Sequence, residues 1–508
     1  MYAKLYSGGI LGIEGYRISI EVNVSGGMPR FEVVGLPDQA VNEARERVVA
    51  AVTNTGGSFP ARRVIINLAP ASMRKTGSFY DAAFALGVMI ATNQTDPRID
   101  LSHTAIFGEL ALNGNLRPVR GLFPMLLTLH EQGITSAIVP VDNAKEAEIV
   151  EGLTVYPVKN LAEAIDVAEG RVAGSTASGG TFHAATPNYP FDFHDVRGQE
   201  SVKRAAKIVA AGGHNFMMIG PPGCGKTLIA RRLLTILPNI THKEALEVTK
   251  VYSIVGLIPP GKSIIAERPF RSPHHTASYA SIAGGGQFPR PGEVTLAHNG
   301  ILFLDEFGEF DPKVLQTLRE PMEERAVSIS RASGTLKFPS NFILAAASNP
   351  CDCGYLGDTM KACTCTEASI RRYRSRLSGP VMDRIDIIVD VRRVPYDTLK
   401  NAADGETSAV IRSAVQEARD IQTARFRGTS VYCNAMMGPR EIAAHCKLDT
   451  EGETLMRAAV NRIGITARSY DKILRIARTI ADCAGAADIC AEHISEAIQY
   501  RGIDRMMA

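Results

Sequence analysis

Gly220-Pro221-Pro222-Gly223-Cys224-Gly225-Lys226-Thr227 has the residue types and spacing of a phosphate-binding loop, G-x-x-x-x-G-K-[ST]. Its glycines let the backbone fold around an anion, so that successive N–H groups and a helix N-terminus face it. Lys226 is placed to neutralise β- and γ-phosphate oxygens, and Thr227 to ligate Mg²⁺. The flanks agree, with a buried strand expected at Asn215–Ile219 and a helix at Leu228–Leu237. A second motif, Gly300-Ile301-Leu302-Phe303-Leu304-Asp305-Glu306, brings two carboxylates to the C-terminal end of an apolar run, where open α/β sheets place their ligands. Asp305 suits the Mg²⁺ shell, and Glu306 suits polarising an attacking water. Together the two motifs predict ATP hydrolysis.

Four of the nine cysteines, Cys351, Cys353, Cys363 and Cys365, form a CxC-x9-CxC cluster. Two short thiolate pairs joined by a loop can supply the four soft ligands of a Zn²⁺ tetrahedron, and Gly354 and Gly357 allow the chain to turn between them. A structural Zn²⁺ is expected, with free thiols as the alternative. An odd cysteine count and an N-terminus without a secretion signal predict a reducing, cytoplasmic compartment.

These groups sit in a chain of 508 residues, enough for about three domains. With 45% hydrophobic and 21% charged residues it reads as a globular protein and not a disordered one. No apolar run is long enough to span a membrane. Trp is absent and aromatics make up 6%, which argues against a large base-stacking surface. The net charge is only +3, so any nucleic-acid contact must be local.

Residues 1–170 mix strand and helix signals and predict an α+β domain. Tyr16–Val24 alternates as a half-buried strand, Phe31–Val34 could pair with it, and Arg63–Leu68 reads as another strand; Val41–Val52, Tyr80–Ala91 and Leu122–Gln132 read as helices. Residues 171–190, rich in Gly and Ser, are expected to be a flexible linker. Residues 191–391 alternate strands and helices in the manner of a covered parallel sheet, and residues 392–508 carry only helical periodicity.

The two motifs, with Asp195-Val196-Arg197-Gly198-Gln199-Glu200 upstream, resemble an AAA+ module. The segments Arg268-Pro269-Phe270-Arg271-Ser272-Pro273-His274-His275-Thr276 and Pro289-Arg290-Pro291-Gly292-Glu293-Val294 resemble the magnesium-chelatase-like ATPases, and within them the bacterial YifB/ComM family. The resemblance covers essentially the whole chain. It implies an AAA+ core with a helical lid and a homo-hexameric DNA helicase that promotes branch migration when transforming DNA is integrated. Single-stranded or branched DNA and recombination proteins are the implied partners. Carried onto this chain, it makes Asn349 the polar sensor 1 residue, Arg384 an arginine finger acting on the neighbouring subunit's ATP, and Arg468 the sensor 2 arginine of the lid.

Ser328–Phe338 alternates, turns at Ser333-Gly334 and alternates again, predicting a β-hairpin. This clade is similar to the replicative MCM helicases in placing a pore hairpin here, which would bring Arg331 and Lys337 to the phosphate backbone. The Arg371–Arg376 basic run fits either DNA or a subunit interface. Gly108–Val119 resembles a segment of the Lon peptidase domain, of the ribosomal S5-like type, whose Ser–Lys dyad needs a lysine as proton acceptor. Met125 falls at that lysine position and Ser78 lies only near the serine, so peptidase activity is not expected. The other alternative is a chelatase-like ATPase that remodels a protein partner for metal insertion.

Overall fold

The structure is a computed structural model that describes residues 1–177, 182, 189–259, 261–286, 289–331, 334–377, 381–396, 405–463 and 465–502. The chain divides into two compact units, Met1–His183 with His242–Ala266, and Ala184–Thr241 with Glu267–Ala508.

The first unit is built on an eight-stranded sheet. Its long strands β1 (Tyr2–Leu11) and β2 (Glu14–Ser25) form an antiparallel hairpin, followed by β3 (Arg30–Val34), β4 (Arg63–Ala69) and β5 (Thr104–Ile106). A two-stranded hairpin, β6 (Glu109–Leu110) and β7 (Leu116–Arg117), lies apart from it. Strands β8 (Ser136–Pro140), β9 (Thr154–Val158) and β10 (Ser175–Thr176) complete the sheet, in the order β10-β9-β8-β5-β1-β2-β4-β3. Strict alternation on β2 buries Ile18, Ile20, Val22 and Val24 against the helix Asp81–Ala91, whose Phe84, Leu86 and Val88 are buried.

Two readings of this unit change. Phe31–Val34 pairs in parallel with β4 and not with β2, because β1 and β4 already occupy both edges of β2. Within the expected linker, Ser175 and Thr176 extend the sheet as β10, antiparallel to β9. Most of the remaining linker lies outside the described residues.

His242–Ala266, expected within the ATPase core, is grouped with this first unit. Its helix His242–Val255 sits beside the helix Leu122–Glu131, with Leu246 against the cluster containing Leu122 and Leu126. Glu146, buried, accepts hydrogen bonds from the Phe123 N–H at 2.9 Å and from the Ser253 hydroxyl.

The second unit holds a five-stranded all-parallel sheet. In chain order its strands are β11 (Phe216–Ile219), β12 (Phe270–Arg271), β15 (Ile301–Leu304), β18 (Ile343–Ser348) and β19 (Ile387–Asp390), arranged spatially as β12-β15-β18-β11-β19. Two small antiparallel pairs stand outside it: β13 (Gly284–Gly285) with β14 (Arg290–Pro291), and β16 (Ala326–Arg331) with β17 (Gly334–Pro339). Strands β11 and β15 are buried at every position, as a sheet covered on both faces requires. Helices Ser408–Arg425, Pro439–His445, Thr450–Ile463, Ala467–Cys483 and Ala491–Gly502 form the C-terminal part, and Ile473, Ile476, Ala477 and Ile480 of the fourth are buried. Among the described residues, no helix is long and apolar enough to cross a membrane.

Candidate ATP site and thiol cluster

The phosphate loop leaves β11, which lies between β18 and β19. The chain therefore enters the loop at a point where the connections diverge to either side, the place where open sheets form a ligand crevice. Gly223 and Gly225 hold φ of 76° and 95°, a left-handed conformation that costs a glycine little, and Gly225 opens directly into the helix Lys226–Leu233.

Lys226 is buried, and its ammonium donates to Gly220 O at 2.7 Å, Pro221 O at 3.0 Å and Asn349 Oδ1 at 3.2 Å. Burial lowers its pKa. Thr227 Oγ1 donates to Asp305 Oδ2 at 2.7 Å. Glu306 follows in the left-handed region at φ 52°, and its carboxylate lies 3.2 Å from His275 Nδ1. The fold thus gathers Lys226, Thr227, Asp305, Glu306 and Asn349 from β11, β15 and β18. His275, which follows β12, is a neighbour of Glu306 that the sequence reading did not single out; only its place in the Arg268–Thr276 segment pointed toward the site.

A cavity of 670 Å³ opens beside β19, lined among others by Gly198, Gln199, Asp390, Arg392 and Tyr500. Ile219 and Asp390 are paired in register, so the cavity adjoins the strand that feeds the phosphate loop. Apart from Gly198 and Gln199 in the Asp195–Glu200 segment, no motif in the sequence marks it.

Arg384 and Arg468 are brought near one another. Arg384 pairs with Glu323, and its pKa is lowered by burial and then by the nearby charges of Arg319 and Arg468. Arg468, on the exposed first turn of the helix Ala467–Cys483, lies 3.7 Å from Asp383.

The four cysteine sulfurs Cys351, Cys353, Cys363 and Cys365 all lie within 4.8 Å of one another. The Cys351–Cys353, Cys351–Cys363 and Cys353–Cys363 separations are 3.4, 3.7 and 3.5 Å. Four sulfurs about 2.3 Å from one ion stand about 3.8 Å apart, so the donor set and its spacing fit tetrahedral Zn²⁺ with no open position. Burial pushes Cys351 up to about 12, while backbone N–H groups of Thr364 and Tyr355 bring Cys353 down to about 5, which favours a thiolate there. The cluster adjoins the phosphate loop: a Cβ added at Gly354 would lie 2.8 Å from Pro222 Cδ. Tyr373, buried on the following helix Glu367–Leu377, shares a 3.0 Å hydrogen bond with Ser348 at the end of β18.

The expected hairpin is formed by β16 and β17, with Ser328 opposite Lys337. Lys337 is exposed; its turn residues Ala332 and Ser333 and the side chain of Arg331 lie outside the described set. In the first unit, Ser78 donates to Glu109, which also pairs with Arg117 at 3.2 Å, and Met125 is fully buried. Glu109 thus takes the Ser78 hydroxyl, and a thioether cannot serve as its proton acceptor.

A five-stranded parallel sheet, a phosphate loop at its switch point and paired acidic residues at the end of β15, the next strand but one, define a P-loop ATPase fold of the AAA+ type. Residues 192–399 match the family described as magnesium chelatase, subunit ChlI; residues 20–143 match subunit ChlI of Mg-chelatase, and residues 405–501 its C-terminal region. The chain belongs to the YifB/ComM family of magnesium-chelatase-like AAA+ proteins. It is 38% identical to the competence protein ComM of Haemophilus influenzae over 99% of this chain and 98% of that one. It is likewise 38% identical to YifB of Escherichia coli, over 98% of this chain and 96% of that one. Lon protease 2 of Bacillus subtilis is 31% identical over 28% of this chain and 27% of its own length.

Proposed function

We propose that the protein is an ATP-driven translocase acting on single-stranded or branched DNA, working as a ring of six and promoting branch migration while incoming DNA is integrated. Similarity along almost its entire length to a protein named for competence carries this reading. The hairpin β16–β17 supports it, offering the exposed Lys337 to a phosphate backbone.

In this reading the N–H groups of the loop and the Lys226 ammonium bind the ATP phosphates. Lys226 would then exchange its carbonyl contacts for phosphate oxygens while keeping Asn349 as neighbour. Thr227 and Asp305, already 2.7 Å apart and both oxygen donors, would hold Mg²⁺. When bound, that ion supplies charge neutralisation on the β and γ oxygens. Glu306 orients a water for attack on the γ-phosphorus and accepts its proton as the bond to ADP breaks. Arg384 from the adjacent subunit stabilises the charge that develops, and Arg468 reports nucleotide to the lid. The base lies in the cavity beside β19. Cys351, Cys353, Cys363 and Cys365 would hold a structural Zn²⁺, which would brace the segment between Asn349 and the helix Glu367–Leu377.

The test is ATP turnover and unwinding of a forked or three-stranded DNA by wild type and Lys226→Ala. DNA-stimulated turnover and strand displacement lost in the variant are expected. ATP turnover that ignores DNA, with no displacement, would overturn the helicase reading. It would favour a motor that remodels a protein partner, the reading supported by the matches to a chelatase subunit.

A further inference from the structure

The turn Asp383-Arg384-Ile385-Asp386 is held from two sides. On the sheet side stands Asn215, the residue before β11. Its amide Nδ2 donates to Arg384 O at 3.0 Å, and its carbonyl accepts from the Asp386 N–H at 3.0 Å. Its N–H donates to Asp386 Oδ2 at 2.9 Å, and its Oδ1 accepts from the Leu344 N–H on β18 at 2.9 Å. On the lid side stands Lys472, on the helix Ala467–Cys483. Its ammonium donates to Asp383 O and, at 2.8 Å, to Ile385 O. Arg501, near the end of the last helix, adds a 2.6 Å bond to the same Ile385 carbonyl. One helical turn before Lys472, Arg468 pairs with the Asp383 carboxylate.

Lys472 is buried, on a helix that also buries Ile473, Ile476 and Ile480 and, further along, Arg478 and Asp482. An ammonium withdrawn from water needs its N–H groups satisfied. Backbone carbonyls on either side of Arg384 satisfy it here, so the lid helix grips the main chain that aims this arginine. A Leu or Met would fill the same volume without the grip.

We propose that Lys472 is a positioning residue that fastens the Arg384 turn to the lid helix bearing Arg468, so that each subunit's lid sets the place of the arginine it presents to the neighbouring subunit's ATP. This rests on the reading of Arg384 as a finger acting between subunits. A nucleotide sensed at the lid by Arg468 then changes turnover at the neighbouring site, because the two groups are tied to one segment of four residues. Asn215 keeps the turn on the sheet when the lid contact is lost.

The test measures ATP turnover of full-length Lys472→Met, alone and mixed with Glu306→Gln. Alone, Lys472→Met is expected to lose about 10- to 100-fold in kcat, with affinity for a fluorescent ATP analogue kept within about twofold. Mixed in equal amounts with Glu306→Gln, itself inactive but carrying an intact finger, turnover should return to about a quarter of wild type. That is the share of interfaces in a randomly mixed ring pairing an active phosphate loop with a sound finger. Arg384→Ala mixed with Glu306→Gln is the control for the reading beneath the proposal. Recovery in the control but not with Lys472→Met overturns the proposal and leaves the finger standing. No recovery in either mixture removes the finger reading and the proposal with it. Arg501→Gln, a change at a partly exposed position, should show the same rescue after a smaller loss. It decides the matter if Lys472→Met does not fold, and failure of its rescue beside a recovering control overturns the proposal.

Discussion

Lys226 and Asn349, 123 residues apart in the chain, are joined by a 3.2 Å hydrogen bond across the gap between β11 and β18. The ammonium that would meet the γ-phosphate and the amide at the end of the next strand therefore occupy one site. Lys226→Ala should reduce ATP turnover at least about 1,000-fold. Asn349→Ala should lower kcat about 10- to 100-fold with KM changed less than about threefold, because it acts on charge that develops in the transition state. Steady-state phosphate release measures both, and an Asn349→Ala enzyme of normal kcat would remove Asn349 from the site.

Gly354 couples the thiol cluster to the phosphate loop by bare contact. A methyl there would stand 2.8 Å from Pro222 Cδ, and φ of 82° disfavours any side chain. Gly354→Ala should weaken binding of a fluorescent ATP analogue about 3- to 10-fold, since the loop must shift to relieve the overlap. Metal content should be unchanged. Nucleotide titration beside metal analysis separates the two effects.

Purified protein should carry about one zinc per chain. Cys353→Ser with a chelator should release it and lower the melting temperature by about 5–10 °C, because Cys351 to Cys365 is otherwise a loop around four thiols. Elemental analysis and a thermal melt measure this. Metal-free protein that melts like the untreated sample would leave the cluster as free thiols.

Asp192 fastens the start of the ATPase core to the helix Ser408–Arg425: its carboxylate accepts N–H bonds from His194 at 3.0 Å and Ser408 at 2.8 Å. Desolvation alone would raise its pKa, but these N–H donors outweigh it and bring the group down to about 2. A carboxylate depressed in the folded state stabilises fully above its ordinary pKa of about 4, and that contribution fades as pH falls toward about 2. Asp192→Ala should therefore lower the chemical-denaturation midpoint at pH 7, and the gap from wild type should close between about pH 5 and 2. A gap independent of pH across that range would contradict the assignment.

Much of the fold could be read from periodicity. The alternation of Tyr16–Val24 gave β2, the apolar run before Asp305 gave β15, and helical periodicity marked residues 392–508, where the helices Ser408–Arg425 and Ala467–Cys483 form. Pairing was harder to read. Phe31–Val34 is as strand-like as its neighbours, yet its partner depends on which edges of β2 remain open, and β1 and β4 take both of them. His242–Ala266 has no boundary signal to separate it from the core, because a helix that packs on one unit looks the same in sequence as one that packs on another.

The phosphate loop, the Asp305-Glu306 pair, the CxC pairs and the hairpin were all legible from residue order. In each, the groups that act together lie within one short segment, so their chemistry leaves a regular spacing. Other relationships exist only once the strands are stacked: Thr227 with Asp305 across 78 residues, Lys472 with the Asp383 carbonyl across 89, His275 with Glu306, and Gly354 with Pro222. Their partners come from different strands and helices, and strand order is set by burial of whole faces, not by any one residue. A lysine on an apolar helix face carries no mark of which carbonyls will receive it. That choice belongs to the packing of the lid on the sheet.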